Sequence, residues 1–261
     1  MANQSRRRFL TTSALAASAG GAACIAQGSE PDGGRQYYEW RTYRIGDALQ
    51  QALVLGHLES AAAPAWKRLG IGPVGAFTET GDAASLDVHV LLTFASSDEF
   101  LRERTGLEAD SDYVQSAKSY LAAAKNDPAF ARIDSTLMVA FAAQPQLRAP
   151  RRRPRVLELR TYQSHSESKA RKKIEMFNDG EIPIFRDAGF ATVLFGESLF
   201  GADLPHLKYL LASDDMAANK ASWAAFIDDP NWKAMKDLPK YADTVSHIDK
   251  VFLKPTGFSD M

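Results

Sequence analysis

The hexapeptide YEWRTY at residues 38–43 returns as LELRTY at residues 157–162. Both copies alternate apolar and charged residues and end in Thr-Tyr. They are predicted to be β-strands, because alternation with a period of two is typical of strands. The interval between matching letters is 119 residues, for example from Arg41 to Arg160. A repeat at a fixed interval predicts two copies of one structural unit.

The repeat extends beyond this strand. Further matches at the interval of 119 are Pro64 with Pro183 and Gly70 with Gly189. Later the interval shortens: LTFAS at 92–96 precedes YLLAS at 209–213 by 117 residues, and NDPAF at 126–130 precedes DDPNW at 228–232 by 102. Insertions in loops change the interval in this way. The first copy is therefore the longer one between its third strand and its Asp-Pro turn.

Residues 1–27 differ from both copies and are predicted to be an export signal. The basic stretch SRRRFL at 5–10 precedes an Ala-, Ser- and Gly-rich stretch with no charge before Glu30, which is the order of regions in such signals. The Arg6 and Arg7 pair is typical of the twin-arginine type that the Tat exporter reads. A short buried helix is the alternative. At roughly 13–15 residues, the apolar stretch is short for a membrane span.

Cys24 is the one cysteine of the chain and lies within this segment. Lipoprotein processing at GAAC would leave Cys24 lipidated, whereas cleavage near Ala23 or Ala26 would leave a soluble product. Gly21 stands where lipoproteins usually have a bulky aliphatic residue, which favours the second alternative. We expect a periplasmic or cell-envelope protein that contacts a membrane only through lipidation of Cys24.

The composition is that of an ordinary globular protein, with 45% hydrophobic and 24% charged residues and a formal net charge of -1. No nucleic-acid partner is expected, because such proteins carry a clustered positive surface. The one basic run, from Arg148 to Arg155, contains Pro150 and Pro154, and proline disrupts helices and sheet interiors. Residues 144–154 are therefore predicted to be a linker, with an anion site as the alternative.

Each copy is predicted to have the element order βαββαβ. The first copy, residues 36–143, has predicted strands at 37–44, 73–80, 86–95 and 133–142, with helices from Asp47 to Leu69 and after a Ser96 cap. The second copy, residues 155–255, has predicted strands at 155–163, 190–199, 206–212 and 244–254, with helices at 166–188 and from 214. This order is typical of a ferredoxin-like α+β fold, in which both helices cover one face of a four-stranded antiparallel sheet. The open faces of the two sheets are expected to pack together as a shared barrel.

Successive strand side chains point to opposite faces. Tyr38, Trp40 and Thr42 are expected to face the helices. The other face is then expected to line the barrel lumen with Glu39, Arg41, Tyr43, Glu158, Arg160 and Tyr162. The third strands are expected to add His89 and His206 to the lumen. Lys208 is two residues beyond His206 on the same strand, so it is expected to face the lumen as well.

Acidic and basic side chains in a cavity are candidates for a ligand-binding site, because buried charges are costly unless they are paired or used. The alternative is structural, since Glu and Arg two residues apart on a strand can pair and fix the docking of the halves. For the two histidines, hydrogen-bonded wall positions are the alternative to metal or haem ligation. No Cys/His metal cluster, phosphate loop or serine elbow appears. No catalytic residue is assigned, and no metal or cofactor is expected.

The two ELRTY-type strands are each followed by a long helix with a late proline and a glycine stop, and then by a D-P-x-[FW] turn. In these features, residues 36–254 resemble the NIPSNAP family of the dimeric α+β barrel superfamily. The resemblance implies two tandem ferredoxin-like repeats packed sheet to sheet as an intramolecular α+β barrel. Trp40 replaces the usual aliphatic residue and Phe130 the usual tryptophan, so the two copies are expected to differ as sites.

What the resemblance implies about function is less specific. Animal members of the family are mitochondrial, are linked to mitophagy signalling and vesicle-related roles, and are not established enzymes. Other proteins with this barrel include cofactor-free quinol monooxygenases, haem-degrading oxygenases and chlorite dismutases, which is an analogy of fold alone.

Two hypotheses follow. The first is an exported, non-enzymatic protein that binds a small molecule or a protein partner. The second is a monooxygenase- or isomerase-type enzyme acting on a quinone-like, aromatic or haem-like ligand, with Arg41 or Arg160 holding an anionic group and His89 or His206 moving protons. A lumen filled by side chains favours the first, and an open pocket of several hundred Å³ with convergent polar groups favours the second. Edge strands could also pair between chains and form a homo-oligomer.

Overall fold

A computed structural model describes residues 34–151 and 155–261. The predicted export signal and Cys24 lie outside the described residues, as does part of the predicted linker. Within the described ranges, no helix is both long enough and apolar enough to cross a membrane.

The described strands follow the predicted order closely. They are β1 (Tyr37–Arg44), β2 (Gly75–Glu79), β3 (Val88–Phe94), β4 (Arg132–Ala140), β5 (Val156–Gln163), β6 (Ala191–Phe200), β7 (His206–Ser213) and β8 (His247–Pro255). The helices are α1 (Ala48–His57), α2 (Ala63–Arg68), α3 (Ser97–Ala109), α4 (Ser111–Ser116), α5 (Lys118–Leu121), α6 (Glu167–Met176), α7 (Ile182–Asp187), α8 (Met216–Asp228) and α9 (Pro230–Lys236). The predicted boundaries of the strands and of the main helices agree with these to within about three residues.

The main helices begin where a polar side chain replaces the missing intrahelical hydrogen bond. Asp47 accepts hydrogen bonds from two backbone N–H groups at the start of α1, and Ser96 accepts one at the start of α3. Ser166 and Asp215 cap α6 and α8 in the same way. Such capping residues fix where a helix starts, which is why these starts could be predicted from the sequence.

Each long helix of the repeat has a π-helical turn just before its proline. Proline lacks the backbone N–H that would donate a hydrogen bond to the preceding turn. The π-helical turn places the proline in the first turn of the next helical segment, where this N–H is not needed. Pro64 and Pro183 occupy the first turns of α2 and α7. The π-helical turns are Leu58–Ala62 and Phe177–Glu181. The late proline of the sequence motif is therefore a matched structural feature of the two copies.

The eight strands form one closed antiparallel barrel in the order β1-β3-β2-β8-β5-β7-β6-β4. Two seams join the halves: β2 pairs with β8, where Thr78 lies opposite Lys254, and β4 pairs with β6, where Val139 lies opposite Glu197. This arrangement confirms the predicted intramolecular α+β barrel. Every described strand has a neighbour on both sides, so a homo-oligomer stays a prediction and would need a surface other than a strand edge.

The hydrophobic core lies in three layers. The central layer fills the barrel and draws on both halves, including Tyr38, Phe77, Leu157 and Leu210. The other two layers lie between the sheet and the helices of each half. Met261 packs into the central layer from the end of the barrel at which β8 finishes. The opposite end is open, and we call it the barrel mouth.

Candidate functional site at the barrel mouth

The strand register corrects the predicted faces of β1. Trp40 lies opposite Leu91 and Thr42 opposite His89, so these side chains share the lumen face. Glu39 and Arg41 point the other way, toward the helices. The prediction was wrong because the barrel interior is itself a large apolar core, which takes the aromatic side chains of β1. The helix layer instead supplies the polar partners of the charged residues.

In the first half, the motif residues form a buried ion-pair network under helix α3. Arg41 donates two hydrogen bonds of 2.7 Å to Glu39 and forms an ion pair of 3.1 Å with Glu103 of α3. Glu39 also accepts from Ser135 of β4 at 2.7 Å. Burial alone would lower the pKa of Arg41, but its two carboxylate partners raise it well above the ordinary value. Tyr43 lies beside this network in the same helix-facing layer.

The second half repeats the pair in a different setting. Glu158 accepts hydrogen bonds from Arg160 at 2.7 Å, from Asn219 at 2.9 Å and from the indole of Trp223 at 2.6 Å. The guanidinium of Arg160 lies 3.6 Å from the centre of the Trp223 ring. Tyr162 also faces the helices, in the apolar layer of the second half. The six motif residues predicted for the lumen therefore lie outside the barrel.

The lumen contains a different set of polar residues at the barrel mouth. They surround a cavity of about 520 Å³ to which both halves contribute. Its ionisable residues are Arg44, Glu79, His89, Asp134, Asp203, His206, Lys208 and Asp249. Both predicted lumen histidines are among them, and so is Lys208. A cavity of this size with convergent polar groups is typical of a small-molecule site.

His89 is fixed in the first-half wall by three neighbours. Its Nδ1 lies 3.3 Å from the indole nitrogen of Trp40 and 3.2 Å from the hydroxyl of Thr42, and its Nε2 lies 3.0 Å from Glu79. An indole N–H can only donate, so Nδ1 accepts and Nε2 carries the proton that is donated to Glu79. Burial alone would raise the pKa of Glu79, but hydrogen bonds from His89 and Ser85 lower it. His89 is therefore a neutral histidine with both ring nitrogens engaged.

Lys208 supplies the positive charge of the second-half wall. Its ammonium donates a 2.8 Å hydrogen bond to Thr161, and within the described residues it forms no ion pair with a carboxylate. Burial lowers the pKa of Lys208 to about 8, against the opposing effect of Asp249 and Asp203. At pH 7 the side chain is still mostly an ammonium. A half-buried ammonium that forms no direct ion pair among the described residues has an electrostatic preference for an anionic oxygen.

His206 lies on the same wall with one free ring nitrogen. Its Nδ1 lies 3.2 Å from the backbone carbonyl of Asp203, to which it donates. The buried Nε2 has no hydrogen-bond partner among the described residues. Burial, assisted by the charge of Lys208, lowers the pKa of His206 to about 4. The imidazole is therefore neutral at pH 7, and Nε2 is a buried acceptor without a donor among the described residues.

The sequence pointed to three of the eight ionisable residues of the mouth and missed the other five, Glu79 and Asp249 among them. His89, His206 and Lys208 follow from the alternation of β3 and β7. Glu79 was missed because its approach to His89 depends on how β2 pairs with β3, where Phe77 lies opposite His89. Asp249 was missed because it comes from the last strand, and no short motif surrounds it.

A family comparison identifies the chain. The NIPSNAP family profile matches it twice, over residues 38–145 and 157–260. The chain belongs to the NIPSNAP family. The two matches coincide with the two halves of the barrel, so this NIPSNAP chain carries the domain in duplicate. Among curated proteins, no sequence matches the chain.

Solved structures share the fold of this NIPSNAP chain at low sequence identity. A proposed monooxygenase from Fusobacterium nucleatum has a TM-score of 0.56 and 10% identity, with 85% of this chain and 92% of that chain covered. A proposed monooxygenase from Lactobacillus acidophilus has a TM-score of 0.54 and 11% identity, with 87% and 95% covered. A proposed chlorite dismutase has a TM-score of 0.50 and 12% identity, with 87% and 97% covered. At such identities the likeness shows the fold alone.

The haem expected under the enzyme hypothesis does not fit the barrel mouth of this NIPSNAP chain. Both ring nitrogens of His89 are engaged, which leaves only Nε2 of His206 as an axial ligand. The ammonium of Lys208 and the carboxylates of Asp134 and Asp249 line the same cavity, where the apolar faces of a macrocycle would desolvate them at high cost. In addition, the described residues contain no cluster of three or more His, Cys, Asp or Glu side chains that could hold a metal ion.

Proposed function

We propose that this protein binds a small organic molecule at the barrel mouth. The ligand carries an anionic oxygen, such as a carboxylate or a phenolate, on a compact apolar body. Lys208 is the cation that attracts the oxygen, and Nε2 of His206 accepts a hydrogen bond from a donor group next to it. The observation that carries this proposal is the half-buried ammonium of Lys208, which faces a cavity and forms no direct ion pair with a carboxylate of the described residues.

The walls beside these polar groups suit an apolar body. Trp40, Leu159 and Val251 line the cavity together with Ile133 at its rim. The indole of Trp40 stacks on Phe77 with 5.8 Å between ring centres, which holds it in place. Burial of an aromatic or aliphatic ligand body against such a wall adds hydrophobic free energy to the charge interaction. A volume of about 520 Å³ admits a molecule the size of a substituted one- or two-ring aromatic acid.

Native mass spectrometry of the full chain purified from its source organism tests the proposal. We expect a mass increment from one small molecule, which is lost when the protein is denatured. In the Lys208→Gln variant the increment should be absent or much reduced. Lys254→Gln is the matched control, because it removes an exposed lysine far from the mouth. Equal occupancy in the two variants, or no bound molecule in the wild-type protein, would contradict the proposal.

An enzyme of the monooxygenase or isomerase type is the second candidate, acting on a quinol-like or other aromatic substrate. One observation favours it: the pKa of Lys208 lies at about 8, close to neutral pH, which is where a general acid or base works best. The roles first expected for Arg41, Arg160 and His89 do not apply, because the arginines lie outside the lumen and both nitrogens of His89 are engaged. Lys208 would take up the substrate proton, and His206 would orient the substrate.

Oxygen consumption with 1,4-naphthohydroquinone as the probe separates the two candidates. The enzyme hypothesis predicts a rate above that of the probe alone and a steep loss of this rate in Lys208→Gln. The rate should also rise with pH as Lys208 loses its proton near pH 8. A rate equal to the background in the wild-type protein would leave binding as the function that the site supports.

We also propose that the protein is exported by the Tat pathway to the periplasm or cell envelope. Residues 5–10 and the uncharged stretch after them support this. A chain with Arg6→Lys and Arg7→Lys should accumulate in the cytoplasm, whereas the wild-type chain should fractionate with the periplasm or, if Cys24 is lipidated, with the membrane. Equal distribution of the two chains would contradict Tat export.

A further inference from the structure

A second cavity lies on the helix side of the sheet, and its volume is about 720 Å³. It is formed between the outer face of β5 and β8 and the helices α8 and α9. The residues that matter here are Glu158, Arg160, Trp223, Trp232, Lys250 and Phe252. The sheet separates this space from the barrel mouth, so a ligand bound here would be additional to the one proposed above. We call this space the outer cleft.

The outer cleft lacks the excess of negative charge found at the equivalent place in the first half. There, one arginine meets two carboxylates, since Arg41 contacts both Glu39 and Glu103. In the second half, Arg160 has Glu158 as its one carboxylate partner among the described residues. Every described hydrogen-bond partner of Glu158 is a donor, and one of these donors is the indole N–H of Trp223. The same strand motif therefore gives a local excess of negative charge in one copy and none in the other.

Strand pairing adds a second positive charge to the outer cleft. In the first half, Arg41 lies opposite Ser135 of β4. In the second half, Arg160 lies opposite Lys250 of β8, which is exposed at the edge of the cleft. Because directly opposed residues on neighbouring antiparallel strands point to the same face, the two cations stand side by side. An anion at this edge of the cleft would therefore meet two positive charges.

The cleft is open because the second copy is shorter. The distance along the chain between matching residues of the two copies is 117 at the third strand and 102 at the Asp-Pro turn. The first copy is therefore the longer one between these two points. The first copy uses the extra residues for α4 and α5, whose Tyr113 and Tyr120 lie over His57 at ring-centre distances of 5.8 and 3.7 Å. Tyr120 also interacts with Tyr43 of the motif strand. No helix of the described second copy corresponds to α4 or α5.

Aromatic rings supply flat surfaces next to the two cations. Trp223 stacks under the guanidinium of Arg160, and Trp232 packs against Phe226 with 4.6 Å between ring centres. Phe252 lies opposite Glu158 on β8 and is only partly buried. The described hydrogen bonds of Arg160 come from Nε and Nη1, which leaves Nη2 for a ligand. An arginine fork beside partly exposed rings suits planar groups that carry a carboxylate.

We propose that the outer cleft binds a planar aromatic carboxylate. Its carboxylate group would lie between Arg160 and Lys250, and its ring would lie against Phe252 and Trp232. The first half would not bind such a ligand, because Glu103 and the tyrosines of α4 and α5 occupy the corresponding place.

Isothermal titration calorimetry with naphthalene-2-carboxylate tests this site, and the neutral naphthalene-2-carboxamide is the matched probe. We expect the acid to bind at least about tenfold more tightly than the amide, since charge-assisted hydrogen bonds are the stronger ones. Lys250→Gln should weaken binding of the acid by about tenfold and leave binding of the amide unchanged. Lys250 is exposed, so this variant is expected to fold normally.

Two control variants assign the binding to the outer cleft. Lys254→Gln removes an equal charge from the same strand outside the cleft, and it should leave the affinity unchanged. Lys208→Gln removes the cation of the barrel mouth, where the same acid also fits, so the titrations are carried out in the Lys208→Gln background and report the outer cleft alone. The proposal is overturned if the acid does not bind to Lys208→Gln, if acid and amide bind to it equally, or if adding Lys250→Gln leaves the affinity for the acid unchanged. Failure at the outer cleft would not affect the barrel-mouth proposal, which rests on Lys208.

Discussion

At the scale of single residues, the barrel mouth places a half-buried cation beside a cavity, with a hydroxyl and no direct carboxylate partner among the described residues. The pKa of Lys208 falls from 10.5 in an unfolded chain to about 8 in the folded protein. Between these values the unfolded state binds more protons, so the free energy of unfolding rises with pH from 8 to 10.5. At pH 7 both states carry the charge, and the folded state bears the cost of desolvating it, which Asp249 and Asp203 offset in part. A residue that costs stability and faces a cavity fits a functional role better than a structural one.

Lys208→Met is therefore expected to stabilise the protein while it removes the proposed ligand site. The expected gain at pH 7 is about 1–3 kcal/mol in the free energy of unfolding. Urea denaturation of ligand-free protein measures it, with Lys254→Met as the control at an exposed position. A destabilised Lys208→Met variant would show that the ammonium is part of the structural framework.

His206 gives a second prediction with a defined pH window. The pKa of His206 lies at about 4 in the folded state, chiefly because of burial, against 6.5 when unfolded. As the pH falls from 6.5 to 4, the unfolded state takes up a proton that the folded state does not, so the protein loses stability in this window. His57 contributes in the same direction, because burial also lowers its pKa to about 4.

The variant His206→Gln should reduce this loss without removing it, since His57 remains. The comparison needs only the urea midpoints of the wild-type protein and the variant at pH 7 and pH 4.5. If both proteins lose the same stability between these pH values, His206 is not buried in the neutral form.

At the scale of secondary-structure elements, the two copies of one strand motif depend differently on their helices. Arg41 has a bidentate partner on its own strand and a further carboxylate on α3, whereas Arg160 has one carboxylate. Removing the charge of Glu158 leaves a buried guanidinium without a counterion, which costs about 3–5 kcal/mol. Removing the charge of Glu103 leaves Arg41 paired with Glu39 and should cost only about 1 kcal/mol.

The matched variants Glu158→Gln and Glu103→Gln test this difference by urea denaturation at pH 7. Glutamine keeps the shape of the side chain and one of its two acceptor oxygens, so each variant loses the charge and one acceptor, and the difference between the two variants reports the pairing of the arginine. Equal destabilisation by the two variants would contradict the unequal pairing of the two arginines.

The elements themselves could be predicted from the sequence because their causes are local. Capping residues fix the starts of α1 and α3, and alternation fixes the extent of β1 and β5. The faces of β1 could not be assigned in the same way, because YEWRTY offers an aromatic residue to each face. The charged residues of β1 turned toward the helices, where Arg41 meets Glu103 of α3, 62 positions further along the chain.

At the scale of the whole molecule, gene duplication explains both the closed barrel and its single polar mouth. The repeat predicted two sheets that share one interior, and the register across the seams shows how they close. The cavity could not be predicted, because it depends on which residues of β2, β7 and β8 meet at one end of the barrel. Glu79 comes from the first copy and Asp249 from the second, and neither has a counterpart in a short motif.

The central claim is that both halves together build one ligand site around Lys208. A high-resolution crystal structure of the protein purified from its source organism tests it most directly. We predict electron density for one small molecule in the barrel mouth, with an oxygen within hydrogen-bond distance of Lys208 Nζ and a polar atom near His206 Nε2. A mouth filled by its own side chains, or a carboxylate of the chain paired with Lys208, would contradict the account.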